Sequence, residues 1–187
     1  MRAPLKFKNH FLWLAAAVLL IAVLDLANLF REPYLPSFAI YGALHALTLI
    51  LAMPPARHSA ARKILFIGCA AALNVGVLYA GIICLEALGN VLAAMRLYLA
   101  LAICALFGAI VYGFLIRFFW WPEFRPRSIA QTAFGCMAAA VLGLGLQNLT
   151  QPFGNWWLVA VWWLAFSAGL WGADRRTHSL RPQADAQ

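Results

Sequence analysis

Charged side chains are scarce in this sequence: only 11% of its 187 residues are Asp, Glu, Lys or Arg, and only six residues are acidic. A typical soluble domain is about a quarter charged. Hydrophobic residues make up 65% of the chain, and its mean hydropathy is +0.81. A soluble domain, a disordered chain and a disulfide-stapled secreted module are excluded, because none of them hides that much apolar surface from water. The composition predicts a membrane protein.

Motifs that carry catalysis or hold metals are also missing. The sequence contains no DxxD, HExxH, GxSxG or Gly-rich phosphate loop, and its four cysteines form no CxxC pair. Haem ligation by two histidines needs both at one depth, whereas His10, His58 and His178 are expected in cytoplasmic segments. We therefore expect no enzymatic activity, no metal and no cofactor.

Long apolar runs account for most of the chain. A membrane-spanning helix needs about 20 apolar residues to cross a hydrocarbon core of roughly 30 Å. Six runs meet this need, at about 11–30, 37–53, 64–85, 95–116, 129–148 and 155–172. The short breaks between them contain prolines or polar residues and make consecutive helices antiparallel neighbours. The pattern predicts an all-α polytopic integral membrane protein, a single domain over 1–187 with six transmembrane helices, short loops and a short tail over 173–187.

Basic residues predict the orientation of these spans. Lys and Arg near span ends are retained on the cytoplasmic side, and 12 of the 14 fall at the termini or in alternate loops. Only Arg31 and Arg96 fall on the opposite side. Both termini are therefore expected in the cytoplasm. Because topology explains the net charge of +8, we expect contact with the lipid bilayer and no nucleic-acid partner. The Ala-rich spans and minimal loops favour a bacterial cytoplasmic (inner) membrane.

Polar residues at the middle of three spans form the first candidate site. Ser37, Tyr41, His45 and Thr48 recur at helical spacing and make one polar stripe on span two. Asn74 on span three and the pair Trp162 and Trp163 on span six lie at about the same depth as His45. One interpretation is a pocket for a small molecule that these residues line. The other is structural, with polar contacts that hold helices together.

A second candidate site lies at the outer end of the spans. Asp25 is close to the outer end of span one, and an acid in the membrane requires a partner or water. Arg96, at the start of span four, is the expected partner. This outer ion pair either marks the mouth of a solute or ion site or clamps spans one and four together.

Small residues on span five suggest a groove. Gly135, Ala139 and Gly143 follow one another at a spacing of four, which lets a second helix approach closely. The incoming helix belongs either to this chain or to a partner protein.

Two functions follow from these features. The first is a non-catalytic multi-pass membrane protein that binds another membrane protein helix to helix, as an accessory subunit or as an immunity-type inhibitor of a membrane-active toxin. The alternative is a small-solute binding or transport subunit that uses the midplane pocket. In size and topology alone, the chain is similar to the substrate-capture subunits of vitamin importers.

Overall fold

The structure is a computed structural model that describes residues 7–26, 34–52, 59–89, 95–122, 124–150 and 156–179. These ranges hold six helices, which confirms the all-α prediction. They are α1 (Phe7–Leu26), α2 (Tyr34–Ala52), α3 (Ala60–Leu88), α4 (Arg96–Phe119), α5 (Pro126–Thr150) and α6 (Trp156–Ser179).

The helices extend beyond the apolar runs at most of their ends. Helix α3 begins at Ala60, where the Ser59 side chain accepts a hydrogen bond from the backbone N–H of Arg62. It ends at Gly89, whose φ of 49° suits glycine. Helix α6 continues to Ser179, seven residues past the expected end of its span. Residues 27–30 of the first run, Arg31, His58 and the tail from 180 to 187 lie outside the described residues.

The six helices pack as a closed ring. Each helix has its main contacts with the next one along the chain, and α6 packs against α1. Short connections place consecutive helices antiparallel, so α2, α4 and α6 begin at one end of the ring, and α1, α3 and α5 begin at the other. We call these the outer and inner ends. The ring interior is therefore enclosed by side chains from every helix.

Three of the helices are long and apolar enough to cross a membrane. They are α3, α4 and residues Pro126–Leu146 of α5, with mean hydropathies of 2.0, 2.6 and 1.7. Helices α1 and α2 contain shorter apolar stretches, Asn9–Asp25 and Pro36–Ala52. The composition predicts a membrane protein, and the length and hydropathy of these helices agree with that prediction.

Glycine allows two pairs of helices to approach closely. A Cβ atom at Gly42 on α2 would collide with the backbone carbonyl oxygen of Ala70 on α3. A Cβ atom at Gly113 on α4 would lie 2.7 Å from Ile129 Cγ2 on α5. Small residues at helix contacts are typical of membrane bundles, where van der Waals packing supplies much of the association free energy.

Several aromatic side chains pack together at the inner end of the ring. The indole rings of Trp120 and Trp121 are only 8% and 9% exposed and pack in one core with Phe66, Phe119 and Phe124. Tryptophans near the ends of membrane spans usually lie at the lipid interface, but α4 ends at Phe119 and the following turn buries Trp120 and Trp121 in the protein. Trp13 and Trp171 are 46% and 38% exposed.

Candidate functional site

His45 occupies the centre of the ring and is completely buried. Its imidazole stacks with two rings from other helices. The ring of Tyr112 of α4 has its centroid 5.0 Å away with planes 13° apart, and that of Trp163 of α6 is stacked at 5.1 Å and 10°. Trp162 and Phe166 meet the imidazole nearly at right angles. We call His45, Tyr112 and Trp163 the His45 stack. It joins α2, α4 and α6 through aromatic contact.

The polar atoms of the His45 stack are buried without hydrogen bonds among the described residues. They are Nδ1 and Nε2 of His45, the Tyr112 hydroxyl and the Trp163 indole N–H. A buried polar group left unpaired costs about 1–3 kcal/mol. His45 therefore contacts α4 and α6 by ring stacking, without a side-chain hydrogen bond to either helix among the described residues.

A hydrogen-bonded pair lies next to the stack. His10 of α1 is fully buried, its Nε2 is 2.9 Å from the Ser167 hydroxyl of α6, and its Nδ1 is 3.5 Å from the Thr48 carbonyl oxygen. The Thr48 hydroxyl donates to the His45 carbonyl at 2.7 Å. The nearby basic residues predict that His10 lies in a cytoplasmic segment. In the structure it belongs to α1, which begins at Phe7, and it is buried against α2 and α6.

A cavity of about 190 Å³ lies on the outer side of the His45 stack. Five helices supply its walls, and its lining is almost entirely apolar. The lining residues are Phe38, Leu73, Asn74, Val77, Leu101, Cys104, Ala105, Gly108, Ala140, Leu158, Val159, Trp162 and Trp163. A dry apolar cavity of about 150 Å³ in another protein binds benzene. This cavity is therefore large enough for a single ring with a small substituent.

The two tryptophans separate the cavity from His45. Trp162 and Trp163 line the cavity, whereas His45, Tyr41 and Thr48 do not. The Trp162 indole donates to the Ala105 carbonyl oxygen at 3.3 Å and stacks on Phe166 at 5.4 Å. The residues predicted to form one pocket are thus divided between a cavity and a closed aromatic core behind it.

Asn74 brings an amide to the cavity wall. Its Nδ2 donates to the Ala70 carbonyl oxygen at 3.1 Å, one turn earlier on α3. The same amide lies against Gly42 of α2, where a Cβ atom would be only 2.7 Å from Nδ2. The side chain is half-buried. Asn74 is therefore held in one orientation by its own helix and by α2.

The polar stripe of α2 faces the protein, as the sequence analysis expects. Ser37, Tyr41, His45 and Thr48 are at most 5% exposed. Tyr41 lies near Asp25 of α1, close enough for the charge of the carboxylate to act on the phenol.

The structure does not bring Asp25 and Arg96 together. Among the described residues, no ion pair joins them; α1 packs mainly against α2 and α6, whereas Arg96 begins α4 and is exposed. The charge of Asp25 acts instead on Tyr41 of α2.

The small residues of α5 do not share one neighbour. A Cβ atom at Gly143 would lie 3.4 Å from Val161 and 3.5 Å from Leu158 of α6. Gly135 is exposed, and no described atom beyond its own helix and its chain neighbours lies within 4 Å of a Cβ placed there. Ala139, between them, is half-buried. A spacing of four residues advances about 40° around a helix, so the row winds from the α6 contact to the outside of the ring.

Tyr112, Phe166 and Ser167 are central residues that the sequence analysis does not select. Tyr112 follows the small residues Gly108 and Ala109 on the buried face of α4. A polar aromatic residue inside an apolar run is the signal that could have identified it. Phe166 lies one turn after Trp162 on α6, and its spacing alone connects it to the tryptophan pair.

Within the described ranges, no three His, Cys, Asp or Glu side chains lie close enough together to hold a metal ion. Comparisons of the chain with protein-family models, curated proteins and solved structures find no match. No relative therefore helps to describe the candidate site, and its description depends on its geometry alone.

Proposed function

We propose that this protein binds a small, lipid-soluble molecule in the cavity at the outer side of the His45 stack. The observation that carries the proposal is the cavity itself, about 190 Å³ with an apolar lining drawn from five helices. The space is partly open to the surface of the bundle. Small-molecule sites are concave and mostly apolar, and they occur between the helices of bundles.

The rigidity of the wall behind the cavity supports this function. Trp163 is held in the His45 stack, and Trp162 is held by its hydrogen bond to Ala105 and its stacking on Phe166. A preformed wall lowers the ordering cost that a ligand must overcome. His45 then acts as a positioning residue for Trp163.

In this proposal all six helices cross the membrane, with both termini in the cytoplasm. The closed ring supports six spans, because α1 lies between α2 and α6 and the three long apolar helices complete the same circle. Described basic residues also concentrate at the inner end: Arg62, Lys63, Arg117, Arg125, Arg127 and Arg175 lie there. A bacterial cytoplasmic membrane fits this distribution.

A pair of matched substitutions on α5 tests the binding function. Ala140 is 2% exposed and lines the cavity, whereas Ala138 is on the outside of the same helix. The probe is 4-fluorotoluene, followed by ¹⁹F NMR with the protein in lipid nanodiscs and with empty nanodiscs as the background. We expect saturable binding to the parent and to Ala138→Phe, and none to Ala140→Phe, whose phenyl ring fills the space.

The thermal midpoint of Ala140→Phe separates a filled cavity from a damaged fold. A midpoint at or above that of the parent is expected, because the new ring replaces empty volume. Equal binding by Ala140→Phe, or no binding by the parent, overturns the proposed function.

Helix-to-helix binding of another membrane protein is the second candidate. The observation that favours it is the open surface at Gly135, which allows a helix to approach α5 closely. An accessory or immunity role predicts a stoichiometric partner after mild detergent extraction. Gly135→Leu should release that partner and leave 4-fluorotoluene binding unchanged.

A further inference from the structure

We propose that the ligand of the cavity is a neutral, single-ring compound with a hydroxyl group, and that the side-chain carbonyl of Asn74 accepts a hydrogen bond from this hydroxyl. The inference rests on the proposed binding function and specifies its ligand. Phenols are the chemical class that it describes. Asn74 is then the residue that determines specificity at an otherwise apolar site.

The lining excludes a charged ligand. None of its side chains is ionised at neutral pH, so an anion or cation would enter without a counter-charge. Transfer of an unpaired ion into an apolar environment is far more costly than transfer of a neutral polar group. The volume of about 190 Å³ suits a ligand with one ring and a small substituent.

Three of the four polar side chains of the lining are already engaged or enclosed. The Trp162 N–H donates to Ala105, and the Cys104 thiol lies beside the Cys84 thiol. The Trp163 N–H is buried within the His45 stack. Asn74 is the remaining polar side chain at the wall.

The hydrogen bond that Asn74 makes determines which of its atoms remains available. A backbone carbonyl can only accept, so the atom 3.1 Å from the Ala70 oxygen is Nδ2. The other terminal atom is then Oδ1, an acceptor that makes no hydrogen bond within the described residues. A ligand hydroxyl supplies the donor that this acceptor needs, while the ring of the ligand occupies the apolar remainder of the cavity.

The test compares two probes of similar shape, 4-fluorophenol and 4-fluorotoluene, by ¹⁹F NMR in nanodiscs. The measured quantity is the ratio of their dissociation constants in each variant, which cancels changes in cavity shape that affect both probes. Asn74→Leu keeps the approximate volume of the side chain and removes the amide. We expect it to lower the preference for 4-fluorophenol about five- to tenfold, the size of one net hydrogen bond.

Ser37→Ala is the matched control, because it removes a buried polar group from outside the cavity. We expect the probe ratio of the parent in this variant. Asn74→Ala replaces Asn74→Leu should the larger side chain prevent folding, and we expect the same loss of preference.

Each result bears on one of the two proposals. A probe ratio unchanged by Asn74→Leu overturns the hydroxyl assignment and leaves the binding function intact, provided that 4-fluorotoluene still binds the parent. Loss of both probes in both Asn74 variants also overturns it, because the amide then maintains the cavity. Failure of the parent to bind either probe overturns the binding function itself.

Discussion

The imidazole of His45 lies nearly parallel to the indole of Trp163, with 5.1 Å between ring centroids and 10° between planes, and both residues are fully buried. Tyr112 also stacks with the imidazole, with ring centroids 5.0 Å apart. The contact connects the polar stripe of α2 to the tryptophan wall of the cavity. Its contribution comes from ring stacking, because the described residues supply neither imidazole nitrogen with a hydrogen bond.

Substitution of His45 separates stacking from hydrogen bonding. His45→Phe keeps an aromatic ring and removes two buried nitrogens, so we expect a thermal midpoint equal to or above that of the parent. His45→Ala leaves a void between Tyr112 and Trp163 and should destabilise the protein by about 3 kcal/mol. Thermal unfolding in detergent measures both. A midpoint for His45→Phe as low as that for His45→Ala would show that the nitrogens have partners.

Gly42 is the closest point of contact between α2 and α3. Gly42→Ala places a methyl group against the Ala70 carbonyl oxygen and the Asn74 amide. Because the backbone must move to accommodate it, we expect a loss of about 1–3 kcal/mol. Gly68→Ala on α3 is the control, since a Cβ there has open space among the described residues, and the better helix propensity of Ala makes this change neutral or stabilising. Equal effects of the two substitutions on the thermal midpoint contradict the α2 and α3 contact.

Periodicity and composition predict the six helices because each helix coincides with a long apolar run. They also predict that Ser37, Tyr41, His45 and Thr48 face the protein, since one helical face holds all four. The neighbours of His45 depend on how the ring closes. Tyr112 lies 67 positions from His45 in the sequence, and local patterns carry no information about such a pair. For the same reason, the local sequence around Asp25 does not indicate that its neighbour is Tyr41 and not Arg96.

His10 shows a different limit of sequence analysis. The basic residues Lys6 and Lys8 around it predict a cytoplasmic position, and they give no sign that this part of the chain packs against other helices. His10 faces the interior, where it meets Ser167. Depth estimated from charge alone misses this burial.

A double-mutant cycle tests the His10 and Ser167 contact. We expect His10→Ala and Ser167→Ala each to destabilise the protein, and the double variant to lose about 1 kcal/mol less than the sum of the two. The coupling arises because the hydrogen bond between α1 and α6 can be lost only once. Additive losses in thermal or denaturant unfolding would show that the two side chains do not interact.

The thiols of Cys84 on α3 and Cys104 on α4 lie near each other. The two side chains interact, and a Cβ atom at Gly81, one turn before Cys84, would lie 3.4 Å from the Cys104 sulfur. Mild oxidation of the membrane-embedded protein should therefore form an intramolecular disulfide between them. Peptide mass spectrometry identifies the bond, and Cys104→Ser is the control. A cross-link that involves Cys69 or Cys136 instead would contradict the register.

Labelling from the two sides of the membrane tests the orientation of α3. Ala61, near the start of α3, and Met95, immediately before α4, are both exposed, and they lie at opposite ends of the ring. In a chain whose native cysteines are replaced, we expect a membrane-impermeant maleimide to label Met95→Cys on intact bacterial cells. It should label Ala61→Cys only after permeabilisation, because Lys and Arg near span ends are retained on the cytoplasmic side and Arg62 and Lys63 directly follow Ala61. Labelling of both positions from outside would show that α3 does not cross the membrane, and the six-span topology would fail with it.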